Sequence, residues 1–212
     1  DKAVEGAMAS KYRNAGQTCV CANRLFAQDG IYDAFVEKLA AAVRKLNVGD
    51  GVKPGVEIGP LIDEAAASKV EELIGDATSK GARVVVGGKR HSLGHTFFEP
   101  TILADVKGDM KVLSEEIFGP VAPVVRFKSE EDAIRLANDT QYGLAAYFYG
   151  RDISRVWRVA EALEFGIVGI NQGIISTEVA PFGGVKESGV GREGSKYGVE
   201  DYLEIKYLCI GI

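Results

Sequence analysis

The sequence has no surplus of basic residues. Its 25 lysines and arginines stand against 30 aspartates and glutamates, giving a net charge of −5. A nucleic-acid binder normally carries a basic excess or stripe, so that class is disfavoured at once. No apolar run reaches the eighteen or so residues that a membrane span requires. Cysteine is scarce and odd in number, three in 212 residues. That does not fit a disulfide-stapled secreted scaffold, and it points to a reducing compartment: the cytoplasm by default, with a mitochondrial matrix left open. The opening Asp1-Lys2-Ala3-Val4-Glu5-Gly6 has neither the basic region nor the apolar core of a secretory signal. Histidine is limited to His91 and His95. Gly94 lies between them and no third ligand is near, so no metal is expected despite their i, i+4 spacing.

What is present is an ordinary globular composition, 46% apolar and 26% charged, in a length that suits one domain. Helical and strand-like patterns alternate. Asp1 to Asn14 reads as a helix stopped at Gly16, and Asn23 to Ala27 as a strand. Ile31, Phe35, Leu39, Val43 and Leu46 recur at helical spacing, with Val36 and Ala40 widening the stripe. Gly49 to Pro60 reads as a loop. Asp63 is placed to cap a helix running to about Lys80, with Gly81 as its stop. Val84-Val85-Val86, Phe97 to Leu103 and Val121 to Phe127 read as strands. Ser129 with Asp132 resembles a capping box opening a helix to about Asn138. Leu144 to Tyr149 is a strand, Asp152 caps a further helix, and Ile167 to Asn171 is another strand. A glycine-rich loop follows, then a last helix near Ser195 to Asp201 and a strand from Tyr202 to Ile210.

This alternation predicts an α/β domain with a mostly parallel sheet flanked by helices. The uniform apolar runs Val84–Val86 and Ile167–Ile170 suit strands covered on both faces. The alternating Leu203-Glu204-Ile205-Lys206-Tyr207-Leu208 suits an edge that pairs with another chain. The domain is therefore read as 1–201, with 202–212 as an oligomerisation strand. Because the chain begins inside a helix and ends inside a strand, it reads as a piece of a longer protein.

The chemistry-bearing feature is Asn14-Ala15-Gly16-Gln17-Thr18-Cys19-Val20-Cys21. A cysteine follows a helix stop in a glycine-bearing turn, where a nucleophile can be presented to solvent. The C-terminal end of a helix raises a thiol pKa, so activation must come from elsewhere. With no histidine close in sequence, a Cys-His protease arrangement is poorly supported. A G-x-G-x-x-G match at Gly189 to Gly194 follows no strand of a βαβ unit and reads as a loop.

Three segments, in this order, resemble the hallmarks of the aldehyde dehydrogenases. They are Gly16-Gln17-Thr18-Cys19 preceded by Asn14, Glu115-Glu116-Ile117-Phe118-Gly119-Pro120, and Pro181-Phe182-Gly183-Gly184-Val185-Lys186-Glu187-Ser188-Gly189. The resemblance runs the length of the chain. It is strongest to members that oxidise succinate semialdehyde, through segments such as Ala146-Tyr147-Phe148-Tyr149 and Gly191 to Gly198. It implies Cys19 as the nucleophile, with its backbone amide as half of an oxyanion hole. It implies Glu116 as hydrogen-bonding the nicotinamide ribose of NAD or NADP, and Phe118 as packing near the ring. It implies Arg13 and Ser176 as holding the far carboxylate of a small aldehyde acid. It also implies a reversible Cys19–Cys21 disulfide as a redox switch, and a homodimer or homotetramer. The family's general base, the asparagine completing the oxyanion hole and the cofactor domain match no segment here, so the isolated chain is expected to be inactive. Glutarate semialdehyde is the alternative substrate. A non-catalytic binding or assembly module is the alternative of another class.

Overall fold

The computed structural model describes all 212 residues. Helix α1, Lys2–Lys11, leads through a 3-10 turn, Arg13–Gly16, toward strand β1, Leu25–Gln28. Helices α2, Tyr32–Val43, and α3, Glu64–Ser79, follow. Then come β2, Arg83–Val86, β3, Thr101–Ala104, and β4, Val121–Phe127. The last third carries α4, Glu130–Asn138, β5, Ala145–Phe148, α5, Ile153–Ala162, and β6, Ile167–Ile170.

Three of the four strand pairings are parallel, in agreement with the expected α/β class. The sheet is not continuous, however. Four strands run in the order β1-β4-β3-β2, while β5 and β6 form a separate pair. The free edges of β1 and β5 line the same groove, so the division leaves two unpaired ladders facing one cavity.

Local signals explain most boundaries. The Asp63 side chain accepts from the Ala66 N–H at 2.8 Å and opens α3, whose Ala67, Val70, Leu73, Ile74 and Ala77 are buried. Ser129 and Asp152 cap α4 and α5 in the same way. Five successive residues of β4, Val121 to Val125, are buried. That fits a central strand covered on both faces. The main core joins α1, α2 and α3 to the four-stranded sheet.

Several expectations are corrected. The first helix stops at Lys11 because Asn14 and Ala15 take left-handed backbone, φ 51° and 56°. The buried face of α2 keeps the expected Val36, Leu39, Ala40 and Val43 and gains Tyr32, while Ile31 lies exposed before the helix. Tyr32 ends the chain's entry into α2 by donating from its hydroxyl to the Val124 carbonyl. Strand β3 starts only at Thr101, just beyond Pro100, and Phe98 makes an isolated bridge with Arg90. Strand β2 is an antiparallel edge with Arg83 and Val84 exposed, so its apolar run does not mark a doubly covered strand. Strand β6 is also only half covered. The last helix is a 3-10 turn, Tyr197–Tyr202, and 203–212 is exposed chain with no ladder partner. Alternating residues form a strand only where another edge supplies hydrogen bonds, and none within this chain reaches them.

Candidate active site

The turn after α1 is built from a run of left-handed backbone, Asn14, Ala15 and Gly16, the last at φ 76°. A Cβ on Gly16 would lie 2.2 Å from the Gly119 carbonyl oxygen, so the first and second motifs meet backbone to backbone there. Gln17 ties the same turn to the segment before α3. Its side-chain oxygen accepts from the Ile62 N–H at 2.8 Å, and its amide donates to the Pro60 carbonyl at 3.3 Å. Beyond it the Cys21 N–H donates to the Thr18 carbonyl at 2.9 Å, leaving Cys19 at the tip.

Cys19 is exposed and unbonded to any other cysteine. Its N–H has no acceptor within the chain. A free thiol and a free amide on one residue at a turn tip give a nucleophile with a donor beside it. Such an amide suits the oxyanion formed when a carbonyl is attacked. Tyr147 on β5 supports the turn by donating to the Val20 carbonyl at 2.7 Å, and burial pushes its phenol pKa up.

The Glu115–Gly119 segment is held by residues the motif reading did not single out for it. The Asn23 amide donates to the Val112 and Glu115 carbonyls at 3.3 and 3.0 Å, and its oxygen accepts from the Ile117 N–H at 2.9 Å. Lys69 donates to the Glu116 carbonyl at 2.6 Å. Glu116 is thus left with its carboxylate outward and Phe118, 39% exposed at φ 50°, beside it. The only sequence signal for Asn23 is a polar amide just ahead of a strand; its partners lie about ninety residues away and no local pattern reports them.

Cys19, Cys21, Glu116 and Phe118 line one cavity of about 700 Å³. Arg13 and Ser176 do not line it. Arg13 is exposed at the end of α1, where its charge acts on Tyr147. Ser176 is exposed in the loop after β6, whose Gly173 packs its backbone against Gly6 of α1. The third motif does not bind the cavity floor. It wraps the second sheet: Val185 N–H donates to the Gly143 carbonyl at 3.0 Å, and Lys186 pairs with Glu164 at 2.5 Å. Its Ser188 accepts from the Gly143 N–H and also faces the cavity. The G-x-G-x-x-G stretch is a loop with all three glycines at positive φ.

One further group belongs to this region. Lys11 is buried, and burial lowers its pKa to about 8 while negative charge on Cys21 and Glu116 opposes the shift. No group of three or more His, Cys, Asp or Glu residues is arranged to hold a metal ion, and His91 accepts locally from the Leu93 N–H. No helix is long and apolar enough to cross a membrane.

The sequence model of the aldehyde dehydrogenase family matches residues 1–208. The chain belongs to the aldehyde dehydrogenase family. It is 71% identical over 212 residues to the succinate-semialdehyde dehydrogenase [NADP(+)] of Escherichia coli, covering 100% of this chain and 44% of that protein. It is 69% identical to the glutarate-semialdehyde dehydrogenase of Pseudomonas aeruginosa, covering 100% of this chain and again 44% of the relative. The crystal structure of succinate-semialdehyde dehydrogenase from Burkholderia pseudomallei superposes with a TM-score of 0.99 at 67% identity, over 100% of this chain and 44% of that one. The chain therefore spans less than half the length of the relatives it matches. Within a dehydrogenase frame, an outward carboxylate beside an exposed aromatic fits the ribose diol and flat ring of a nicotinamide nucleotide.

Proposed function

We propose that this chain supplies the nucleophile-bearing domain, 1–201, of an enzyme that oxidises a small aldehyde acid with NAD or NADP, succinate semialdehyde being the preferred substrate. The observation that carries the reading is the Cys19 turn: an exposed thiol with a free backbone N–H, opening on the cavity that Glu116 and Phe118 border. The Cys19 thiolate adds to the aldehyde carbon and forms a thiohemiacetal, while the Cys19 N–H stabilises the oxygen that gains charge. When bound, the nicotinamide cofactor supplies the hydride acceptor. Glu116 orients it through the ribose hydroxyls and Phe118 borders the ring. Loss of hydride leaves a thioester on Cys19. Water then cleaves the carbon–sulfur bond, releasing the acid and restoring the thiolate. The general base for that water and the second oxyanion donor belong to the part of the enzyme outside these residues, so the isolated chain does not turn over.

Arg13 and Ser176 are assigned to the far carboxylate. A guanidinium makes a bidentate, charge-assisted pair with a carboxylate, and a serine hydroxyl adds a third donor. Both sit on elements that meet α1, which supports a common site. Cys19 and Cys21 form a reversible disulfide that withdraws the nucleophile under oxidation. The exposed segment 202–212, alternating and unpartnered, pairs with another copy in a homodimer or homotetramer. The working compartment is a reducing one, cytoplasm or mitochondrial matrix.

The test is nicotinamide reduction by the full-length enzyme with succinate semialdehyde, glutarate semialdehyde and an uncharged aldehyde of similar length. Succinate semialdehyde is expected to show the highest kcat/KM, and Cys19→Ser to show none. Arg13→Ala is expected to raise KM about 10- to 100-fold for the acids alone, the worth of a hydrogen-bonded charge. An equal effect on the uncharged aldehyde would remove Arg13 from the substrate site. No reduction with any of the three would overturn the reading.

A further inference from the structure

Two close approaches seat the loop that carries Ser176, and the reaction above gives them no task. The loop leaves β6 at Asn171, whose side chain donates to the Gly150 carbonyl at 2.8 Å and accepts from the Gly150 N–H at 3.0 Å. It is held again at Glu178, whose carbonyl accepts from the Ser195 N–H at 2.9 Å. Between these points Gly173 and Ile175 are half-buried, while Ile174 and Ser176 are exposed. Gly173 rests on α1: a Cβ there would lie 2.5 Å from the Gly6 carbonyl oxygen and 2.7 Å from the Gly6 Cα. Ile175 rests on β6: a Cβ on Gly169 would lie 2.8 Å from the Ile175 side chain and 2.8 Å from the Tyr147 ring. Tyr147 in turn donates to the Val20 carbonyl, next to Cys19, and the charge of Arg13 acts on it. Gly6, Gly169 and Gly173 all have ordinary negative φ, so no turn demands glycine at these places. What demands it is the closeness of the chains. Gly6 even stands inside a helix, where glycine is a poor former.

We propose that Gly173 is a positioning residue for substrate length: its seat on Gly6 holds the Ser176 loop at the depth that fits a four-carbon aldehyde acid rather than a five-carbon one. The proposal rests on the Arg13 and Ser176 carboxylate reading given under Proposed function, and adds what sets the distance from that carboxylate to the thiol. Ser176 follows Gly173 by three residues, a span of about 10 Å at most, so its hydroxyl moves with the seat. The second seat, Ile175 beside Tyr147, brings Ser176 to the side of the molecule where Tyr147 meets the Cys19 turn. A methyl group on Gly173 meets backbone, which cannot rotate away as the end of a side chain can. The loop must then lift off α1 by a distance on the order of 1 Å to restore normal contact. That is comparable to the length one methylene adds to an extended acyl chain. With Cys19 fixed at one end and Ser176 moved at the other, glutarate semialdehyde spans the two better than succinate semialdehyde does.

The experiment assays the full-length enzyme with succinate semialdehyde, glutarate semialdehyde and butanal, an aldehyde without a carboxylate. In Gly173→Ala, the ratio of kcat/KM for succinate semialdehyde to that for glutarate semialdehyde is expected to fall roughly tenfold, within the range one methylene is worth. Butanal is expected to stay within about twofold of wild type, since it makes no use of the loop. In a Ser176→Ala background the same glycine change is expected to leave the ratio unmoved, because the hydroxyl that the loop carries is gone. A glycine that merely supports the fold would not give that pattern. Gly169→Ala pushes on Ile175 from the other seat and is expected to move the ratio in the same direction; it decides the matter should Gly173→Ala fail to fold. A wild-type ratio in the folded variants would overturn the role of Gly173, as would an equal loss with butanal. Wild type that favours neither acid over butanal would remove the carboxylate site itself, a failure seen before any variant is made.

Discussion

The buried Lys11 makes a prediction about stability. Its pKa is lowered from 10.5 to about 8 by burial. The unfolded chain therefore holds the proton more tightly than the folded one. Between pH 8 and 10.5 the unfolded state binds more protons, so stability rises with pH across that window. Below pH 8 both states are protonated and the full penalty applies, about 3 kcal/mol for a shift of this size. Lys11→Met is accordingly expected to raise the apparent melting temperature at pH 7, with the difference from wild type shrinking toward pH 10. Thermal scans of both proteins at pH 7, 8.5 and 10 check this; a variant less stable at pH 7 would show that the lysine stabilises the fold. Asn23 is the opposite case, a polar residue whose removal leaves the Val112 and Glu115 carbonyls and the Ile117 N–H without their partner. Asn23→Ala is expected to destabilise by about 2–3 kcal/mol. Because those bonds hold the Glu116 segment, it is also expected to raise KM for the nicotinamide cofactor more than for the aldehyde. Cys19 and Glu116 were singled out through motifs that resemble a family's, and the structure places both on one cavity. Lys11 and Asn23 were not, because burial and long-range partners leave no local pattern.

Among the elements, the caps were the most readable feature. Asp63, Ser129 and Asp152 each accept from the N–H three residues on, as their residue types imply. Asp63→Ala is expected to cost about 1 kcal/mol, measured by denaturant unfolding, without touching KM for the cofactor. Gly16 is a different kind of terminator. Its φ of 76° and the Gly119 carbonyl 2.2 Å from a built Cβ leave no room for a side chain. Gly16→Ala is expected to displace the Cys19 turn and reduce kcat by more than its effect on stability suggests; an alanine variant with wild-type kcat would show that the two motifs need not touch. The pairing of strands was less legible than their positions. Val84 to Val86 and Ile167 to Ile170 are apolar enough to be central, yet β2 is an antiparallel edge and β6 borders a two-stranded sheet. Hydrophobicity reports that a strand is covered somewhere, not by which neighbour or in which direction.

The whole chain is unevenly buried. A monomer of 22.7 kDa is expected to expose about 9,500 Å², whereas this one exposes 12368 Å². The surplus, roughly 2,800 Å², exceeds one partner's share of a standard interface several-fold. It is concentrated late in the sequence, where Val156 is the one buried apolar residue after Val125. Trp157 on α5 is 66% exposed, and Tyr202, Ile205, Tyr207 and Ile210 lie on the unpaired segment. The facing edges of β1 and β5 add unsatisfied backbone groups along an apolar groove. Composition does not reveal this, because the residues are individually ordinary and only their coverage is missing. The 212-residue chain on its own is therefore expected to bind a hydrophobic dye, to self-associate on a sizing column, and to reduce no NAD or NADP with succinate semialdehyde. The full-length protein is expected to lose the dye signal and gain the activity together, as the proposed function requires. A monomeric, dye-silent chain that turns over by itself would mean that the groove and the late surface serve some other purpose, and that the hydrolysis of the Cys19 thioester is driven from within these residues.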